Sequence, residues 1–251
     1  MNTSSSRAPW TRIRQICLAA PQLEPAVQAL QRTLGLQVAY RDPAVGKYGL
    51  ENAVLPIGPG QFLEVVAPTR PDTAVGRFLA RAASPDQLGA YMLICDCEDP
   101  AAARARADSL GIRVVNDYQY PDYHGVQLHP RDTGAVMIEF NATPGGEPLS
   151  GPYHPAGHDW QAAVTTASGG ITAVRVQASD PAAMAQRWAA LFGQPAQADA
   201  AGGFVIALAL GRIEIGPLLG GTQDRLSEIV LSHAPANHGA AQTLCGLRVS
   251  V

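Results

Sequence analysis

The sequence predicts an α+β fold built from a repeated strand, helix, strands unit, and three observations predict it. A β-rich opening recurs at residues 13–18, 90–95 and 171–176. Each opening leads to a helix-period segment that stops at a glycine, Gly35, Gly111 or Gly193. Each unit then closes on an apolar strand carrying a glutamate, Glu64, Glu139 or Glu214. A carboxylate in the middle of a strand that otherwise favours burial needs a partner or a task. Its repetition at one place per unit suggests inward-facing groups lining a shared cavity.

In the first unit a strand at 13–19 meets the helix start Pro21-Gln22-Leu23-Glu24-Pro25, and Val27, Leu30 and Leu34 follow at helical spacing. Strands at 36–40, 51–57 and 61–66 complete it, the last two joined by the tight-turn signal Gly58-Pro59-Gly60. Residues 69–79, with Val75, Phe78 and Leu79, read as a short capped helix leading onward. The second unit runs from a strand ending at Cys97 through a helix at 99–110 and a strand at 113–116. Its hairpin, 125–140, turns at 130–134. A Gly/Pro-rich crossover follows, and Tyr153, His154, His158, Asp159 and Trp160 are dense there for a linker, so a solvated connection and a lid both stay open. The third unit has a helix at 181–191 and a hairpin of 204–210 with 212–217. Strands at 226–232 and 244–251 form a fourth unit reduced to a strand pair. The expected divisions are a flexible N-terminus at 1–11, a site-bearing pair at 12–142, the crossover at 143–169, and the remaining modules at 170–251.

With 251 residues, 47% of them hydrophobic, the chain can bury one or two substantial cores. A formal charge of −3 without long runs of either sign gives no footprint for nucleic acid or an anionic membrane. Small molecules or a second copy of the chain, as a homodimer, are the expected partners. The polar start and the lack of a membrane-length apolar stretch lead to the expectation of a soluble cytoplasmic protein. Cys95 and Cys97 share a strand face and could touch one metal, but small buried thiols are the commoner case. Neither a phosphate-cradling glycine loop, a nucleophile elbow nor a zinc-type Cys/His pattern is present.

Strand parity sorts the candidate site residues. Val136, Ile138 and Phe140 share one face, leaving Met137 and Glu139 on the other. The same alternation places Gln15 with Ile13 and Cys17, Glu64 with Phe62, and Tyr91 with Leu93. Val126 and Leu128 join the helix side, which aims Gln127 and His129 inward. Asn52 either faces the cavity or satisfies a strand edge.

Residues 12–19, 50–58 with 61–68, and 128–140 resemble the vicinal oxygen chelate superfamily, more narrowly its glyoxalase-like domain proteins. The segment from Leu128 to Phe140 is similar to the metal-bearing hairpin of methylmalonyl-CoA epimerases. The resemblance covers residues 12 to about 142 well and 171–217 more weakly. It implies paired βαβββ modules forming cupped mixed sheets with helices outside, and a divalent metal (Zn, Ni, Mn or Mg) held in the cup. Carried over, the ligand positions are Gln15, Glu64 and Glu139, with Tyr91 where the family usually has histidine; phenol is a poor ligand unless deprotonated.

Two functional readings follow, beside a structural one in which the glutamates are merely paired. In the first, a metal-dependent isomerase or lyase polarises vicinal oxygens of a small substrate. Glu64, Glu139 or His129 would move the proton, and Tyr91, Asn52, Gln127, Phe62 and Met137 would contact the substrate. In the second, a metal-free cup binds an apolar or weakly basic ligand, as antibiotic-sequestering, bleomycin-resistance-like relatives do, and Tyr91 donates a hydrogen bond to a carboxylate. Ala173 stands where the third unit would need a counterpart of Gln15, so one complete site is expected.

Overall fold

The computed structural model describes residues 10–81, 87–220, 222–235 and 241–251. Strand β1 (Thr11–Ala19) leads to α1 (Leu23–Leu34), a short 3-10 turn at Pro43–Tyr48, and the hairpin of β2 (Leu50–Ile57) and β3 (Gln61–Pro68). Helix α2 (Ala74–Leu79) crosses to the second module, β4 (Met92–Cys97), α3 (Pro100–Ser109), β5 (Val114–Tyr120), β6 (Tyr123–Leu128), α4 (Pro130–Thr133) and β7 (Met137–Ala142). The crossover carries 3-10 turns at His154–Ala156 and Trp160–Ala163. Beyond it lie β8 (Ile171–Ala178), α5 (Pro181–Phe192), β9 (Ala196–Ala198), β10 (Phe204–Ala207) and β11 (Arg212–Pro217). Strands β12 (Arg225–Leu231), β13 (Ala241–Leu244) and β14 (Leu247–Ser250) are the reduced fourth unit, with no helix among the described residues.

Local chemistry sets the helix limits. Buried Leu23, Ala26, Val27, Leu30 and Leu34 form the apolar stripe of α1, which stops at Gly35 in a left-handed conformation that a side chain would strain. Asp99 and Asp180 cap α3 and α5 by accepting backbone N–H bonds, each followed by proline at the first helical position.

The strands form two seven-stranded sheets, ordered β2-β3-β1-β4-β7-β6-β5 and β13-β14-β12-β8-β11-β10-β9. One of the two curls into a half-barrel. In the first, β1 and β4 pair antiparallel at the centre, joining the modules, while β1–β3 and β4–β7 are parallel. The α+β architecture of paired modules is thus the one the sequence predicts.

Three local expectations change. The strand expected at 36–40 is reduced to a bridge between Tyr40 and Val54. Asp42 causes this: its side chain caps the next turn at Ala44 and its N–H donates to Asn52 Oδ1, so the chain leaves the sheet edge. Thr11, expected in a flexible tail at 1–11, is buried in β1, where strand pairing with Cys97 holds it, and Trp10 O accepts Glu98 N at 3.1 Å; residues 1–9 of that expectation lie outside the described residues. The strand expected at 113–116 runs on to Tyr120 because pairing with β6 continues to Tyr123.

One continuous core contains the helix faces of both sheets, with Ile16, Leu63 and Phe140 from the first and Val174, Ile213 and Leu247 from the second. Helices α1, α3 and α5 therefore lie in a layer shared by the two sheets. Trp188 Nε1 donates to Thr133 O at 2.8 Å, Arg187 Nε to Asp132 O at 2.7 Å and Arg106 Nε to Leu191 O at 2.8 Å. Along β1 the sheets meet directly, through Ile13 N to Leu210 O at 3.1 Å and Ala209 N to Thr11 O at 2.8 Å. Buried Gln61 staples them, donating from Nε2 to Ile13 O and Ile171 O and accepting Ile171 N at Oε1. The third unit thus packs within the chain. Among the described residues no helix is long and apolar enough to cross a membrane.

Candidate functional site

The face of the first sheet turned away from the helices carries two hydrogen-bonded carboxylates. Glu64 on β3 accepts from Gln15 Nε2 at 2.8 Å and from Asn52 Nδ2 at 2.7 Å. Burial pushes its carboxyl above the ordinary range, opposed by hydrogen bonds from Asn52, Cys17 and Gln15 and reinforced by the charge of Glu139. Glu139 on β7 accepts from Tyr123 Oη at 2.5 Å and Asn141 Nδ2 at 2.8 Å on one oxygen, and from Gln127 Nε2 at 2.7 Å on the other. Gln127 is held in turn by Asn116 Nδ2 at 2.7 Å. Glu139 is buried, whereas Glu64 keeps partial exposure.

Strict alternation fails at one point on β1. The pairing with β4 shifts register between Ile13 and Gln15, inserting Arg14. Ile13 consequently joins the helix-side core instead of Gln15 and Cys17. Arg14 reaches the other side, its guanidinium 5.6 Å from the Phe62 ring centroid and 4.9 Å from that of Tyr153.

Tyr91 also departs from its expected place. It precedes β4, whose Leu93 faces the helices while Met92 and Ile94 face the cup. Gln15 pairs with Phe62, two residues before Glu64, and Met92 pairs with Met137, two residues before Glu139, so the module registers make Met92 the counterpart of Gln15. Met92, a thioether, therefore occupies the counterpart position assigned to Tyr91. The Tyr91 ring packs edge-on to Phe78 at 5.1 Å, and burial pushes its phenol up to about 12.

The phenol that does donate to a glutamate is Tyr123. Gly125 makes this possible: a Cβ there would lie 2.7 Å from the Tyr123 ring. Extending the parity of Gln127 back to Tyr123, and of Glu139 on to Asn141, would have found both.

The cup is covered from two ends. At one end Val75, Phe78 and Leu79 pack against Cys17, Ala19, Val66, Met92 and Ile94. At the other end the crossover folds over as a lid. Tyr153 stacks on Phe62 at 4.8 Å and Trp160 meets its edge at 5.1 Å, both buried, so Phe62 is sealed rather than available to a ligand. His154 stacks on Tyr123 at 4.8 Å, whereas His158 points to solvent. Arg12 anchors the lid through Glu147 O and Gly146 O, each at 2.7 Å, while its Nε and Nη2 bind Asp96 Oδ2 at 3.1 and 2.5 Å.

Between the two covers Glu64, Asn116, Gln127, Met137 and Tyr91 keep partial exposure and form the mouth. Tyr48 and Tyr118 share a hydroxyl hydrogen bond of 3.0 Å at its rim. His129 lies beyond β6, where its Nδ1 accepts Arg131 N at 3.2 Å and caps α4. Burial and the neighbouring Arg113 lower its pKa. Cys95 and Cys97 share a face as expected, but it is the helix side, where burial pushes Cys97 up to about 12.

On the second sheet Arg175 lies between Glu214 at 2.8 Å and Glu228 at 2.9 Å, and Arg212 also binds Glu214 at 2.7 Å. The corresponding surface is an ion-pair lattice.

Among the described residues no group of three or more His, Cys, Asp or Glu side chains is placed to hold a metal ion. Gln15 Oε1 is buried without a hydrogen-bond partner.

The fold, paired modules of the βαβββ type with the fourth reduced to strands among the described residues, is that of the vicinal oxygen chelate superfamily. The model of the glyoxalase-like domain matches residues 16–192, and the chain belongs to that family. No curated protein matches it. Among solved structures, a hypothetical protein from Staphylococcus aureus is similar over 95% of this chain and 97% of its own, at 13% identity and a TM-score of 0.66. A Streptomyces coelicolor methylmalonyl-CoA epimerase in complex with 2-nitronate-propionyl-CoA is 26% identical, spanning 53% of this chain and 98% of its own with a TM-score of 0.46. The epimerase from Mycobacterium tuberculosis is 22% identical over 57% of this chain and 93% of its own, with a TM-score of 0.45. The Staphylococcus aureus protein has the fold of both halves.

Proposed function

We propose that this glyoxalase-like protein binds a small molecule in its N-terminal cup without a resident divalent metal. The observation that carries this reading is the pairing of Gln15 Oε1, a buried acceptor without a partner, with the partly exposed carboxylate of Glu64. Two adjacent acceptors call for a ligand that donates, through a hydroxyl, amide or amine group. An orphaned buried acceptor costs about 1–3 kcal/mol, which such a ligand would recover.

The donor set does not fit a resident cation. Both oxygens of Glu139 already accept hydrogen bonds, three in all, and Met92 and Ile94 occupy the facing positions on β4. Thioether and alkyl groups are unsuited to Mg²⁺ or Mn²⁺, and a single Gln–Glu pair leaves Zn²⁺ or Ni²⁺ short of ligands.

Calorimetric titration with Zn²⁺, Ni²⁺, Mn²⁺ and Mg²⁺ tests the metal-free reading. Wild type is expected to show no saturable micromolar binding, and Tyr91→His is expected to leave this unchanged, since Tyr91 is not the counterpart of Gln15. Stoichiometric binding by wild type that disappears in Glu64→Gln would reverse the conclusion.

A second reading, proton transfer by Glu64 in an isomerase-like step, is favoured by the raised proton affinity of that carboxyl. Solvent deuterium entering a bound ligand with wild type but not with Glu64→Gln would support it.

A further inference from the structure

We propose that the cleft beside the cup is a binding site for a multiply charged anion. It has a volume of about 700 Å³ and lies between α2, the start of β4, the α4 turn and the segment leading into β12 of the second sheet. Arg77 and Arg81 from α2 and its end, Arg131 from α4 and Arg225 from the start of β12 line it, three separate parts of the chain, and among the described residues one carboxylate, Asp224, joins them. Asp224 Oδ1 already accepts Ser179 N at 2.7 Å.

Among the described residues none of the four arginines pairs with a carboxylate, whereas Arg12, Arg104, Arg113, Arg175 and Arg212 all do. Their contacts are neutral. Arg77 Nη1 donates to Asp72 O at 2.8 Å, Arg81 lies 6.0 Å from the Phe78 ring centroid, and Arg225 donates to Gln87 O at 2.9 Å and Gln177 Oε1 at 3.0 Å. These bonds orient the guanidinium groups without cancelling their charge. A chain of net charge −3 thus concentrates uncompensated positive charge in one concave place. The lowered proton affinity of His129 in the same cleft, caused first by burial and then by Arg113, with Arg131 and Arg81 contributing, is consistent with that field. Guanidinium forks match the oxygens of phosphates and carboxylates, the two groups that could supply the charge. Tyr91 and Met137 border both this cleft and the cup mouth, but the anion site does not depend on what the cup binds.

Titration of the full chain at low ionic strength with pyrophosphate and with citrate tests the assignment and separates the two sources. At least one probe is expected to bind at a single saturable site. The double variant Arg77→Gln/Arg131→Gln should weaken it by about tenfold or more, the loss of charge-assisted hydrogen bonds. Both side chains are exposed, so the thermal midpoint should be retained. Arg32→Gln, outside the cleft, is the control and should bind as wild type. Stronger binding of pyrophosphate would identify a phosphate site, and of citrate a carboxylate site. No saturable binding of either, or equal affinity in wild type and the double variant, would overturn the proposal.

Discussion

Asp96→Asn is expected to lower the stability of the chain by about 3–5 kcal/mol, the usual cost of removing one partner of a buried ion pair. Asp96 accepts two bonds from Arg12 and lies 4.0 Å from Arg14 Nε, and Arg14 is fully buried. Asparagine keeps the volume but not the charge, so two guanidinium groups would be left in a poorly solvated place. Arg14 has little reserve, because Nε and Nη1 already lack partners and burial lowers its pKa to about 10. Since Arg12 also clamps the lid at Gly146 and Glu147, the variant should expose Trp160, seen as a red shift of its fluorescence. Equilibrium urea unfolding at neutral pH measures the loss. A change below about 1 kcal/mol would mean that the cluster behaves as an exposed pair does.

Trp188→Ala should also cost about 3–5 kcal/mol, from lost burial and the cavity left behind. Trp188 is completely buried, packs near Phe192 at 6.0 Å between ring centroids, and bonds Thr133 O across the shared helix layer. Trp188→Phe keeps most of the volume and isolates the lost hydrogen bond, so a smaller decrease is expected. Unfolding of wild type should remain one transition, since the same core holds both sheets. Two separate transitions, or a loss in Trp188→Ala under about 1 kcal/mol, would show that the halves are not coupled through this residue.

Alternation was enough to put Glu64, Glu139 and Gln127 on the cup face, because their strands run without interruption and a polar residue among β-branched neighbours has one side to choose. It failed where the backbone departs from period two. The extra residue Arg14 turned Ile13 to the other face, and no composition signal marks a bulge between two isoleucines. On β4 the expected parity is reversed, since Leu93 joins the helix-side core while Met92 and Ile94 face the cup, which makes Met92 and not Tyr91 the counterpart of Gln15; a strand apolar on both faces gives alternation nothing to choose by. Tyr123 and Asn141 lie outside the expected hairpin at 125–140, because β6 begins at Tyr123 and β7 runs on to Ala142. The lid was visible only as an excess of aromatic and histidine residues in a linker. What fixes it is long-range, the contact of Tyr153 and Trp160 with Phe62 and the reach of Arg12 across the sheet.

With α1, α3 and α5 enclosed between the sheets, the second half is held by its helix face, by Gln61 and by the backbone contacts along β1. Among the described residues no buried apolar cluster covers its opposite face. Substitutions among Arg175, Arg212 and Glu214 would exchange one solvated pair for another at roughly 0–1 kcal/mol each. That surface is therefore spare ground: a second ligand site could be written onto it by changing side chains alone, while the cup on the first sheet keeps its own chemistry.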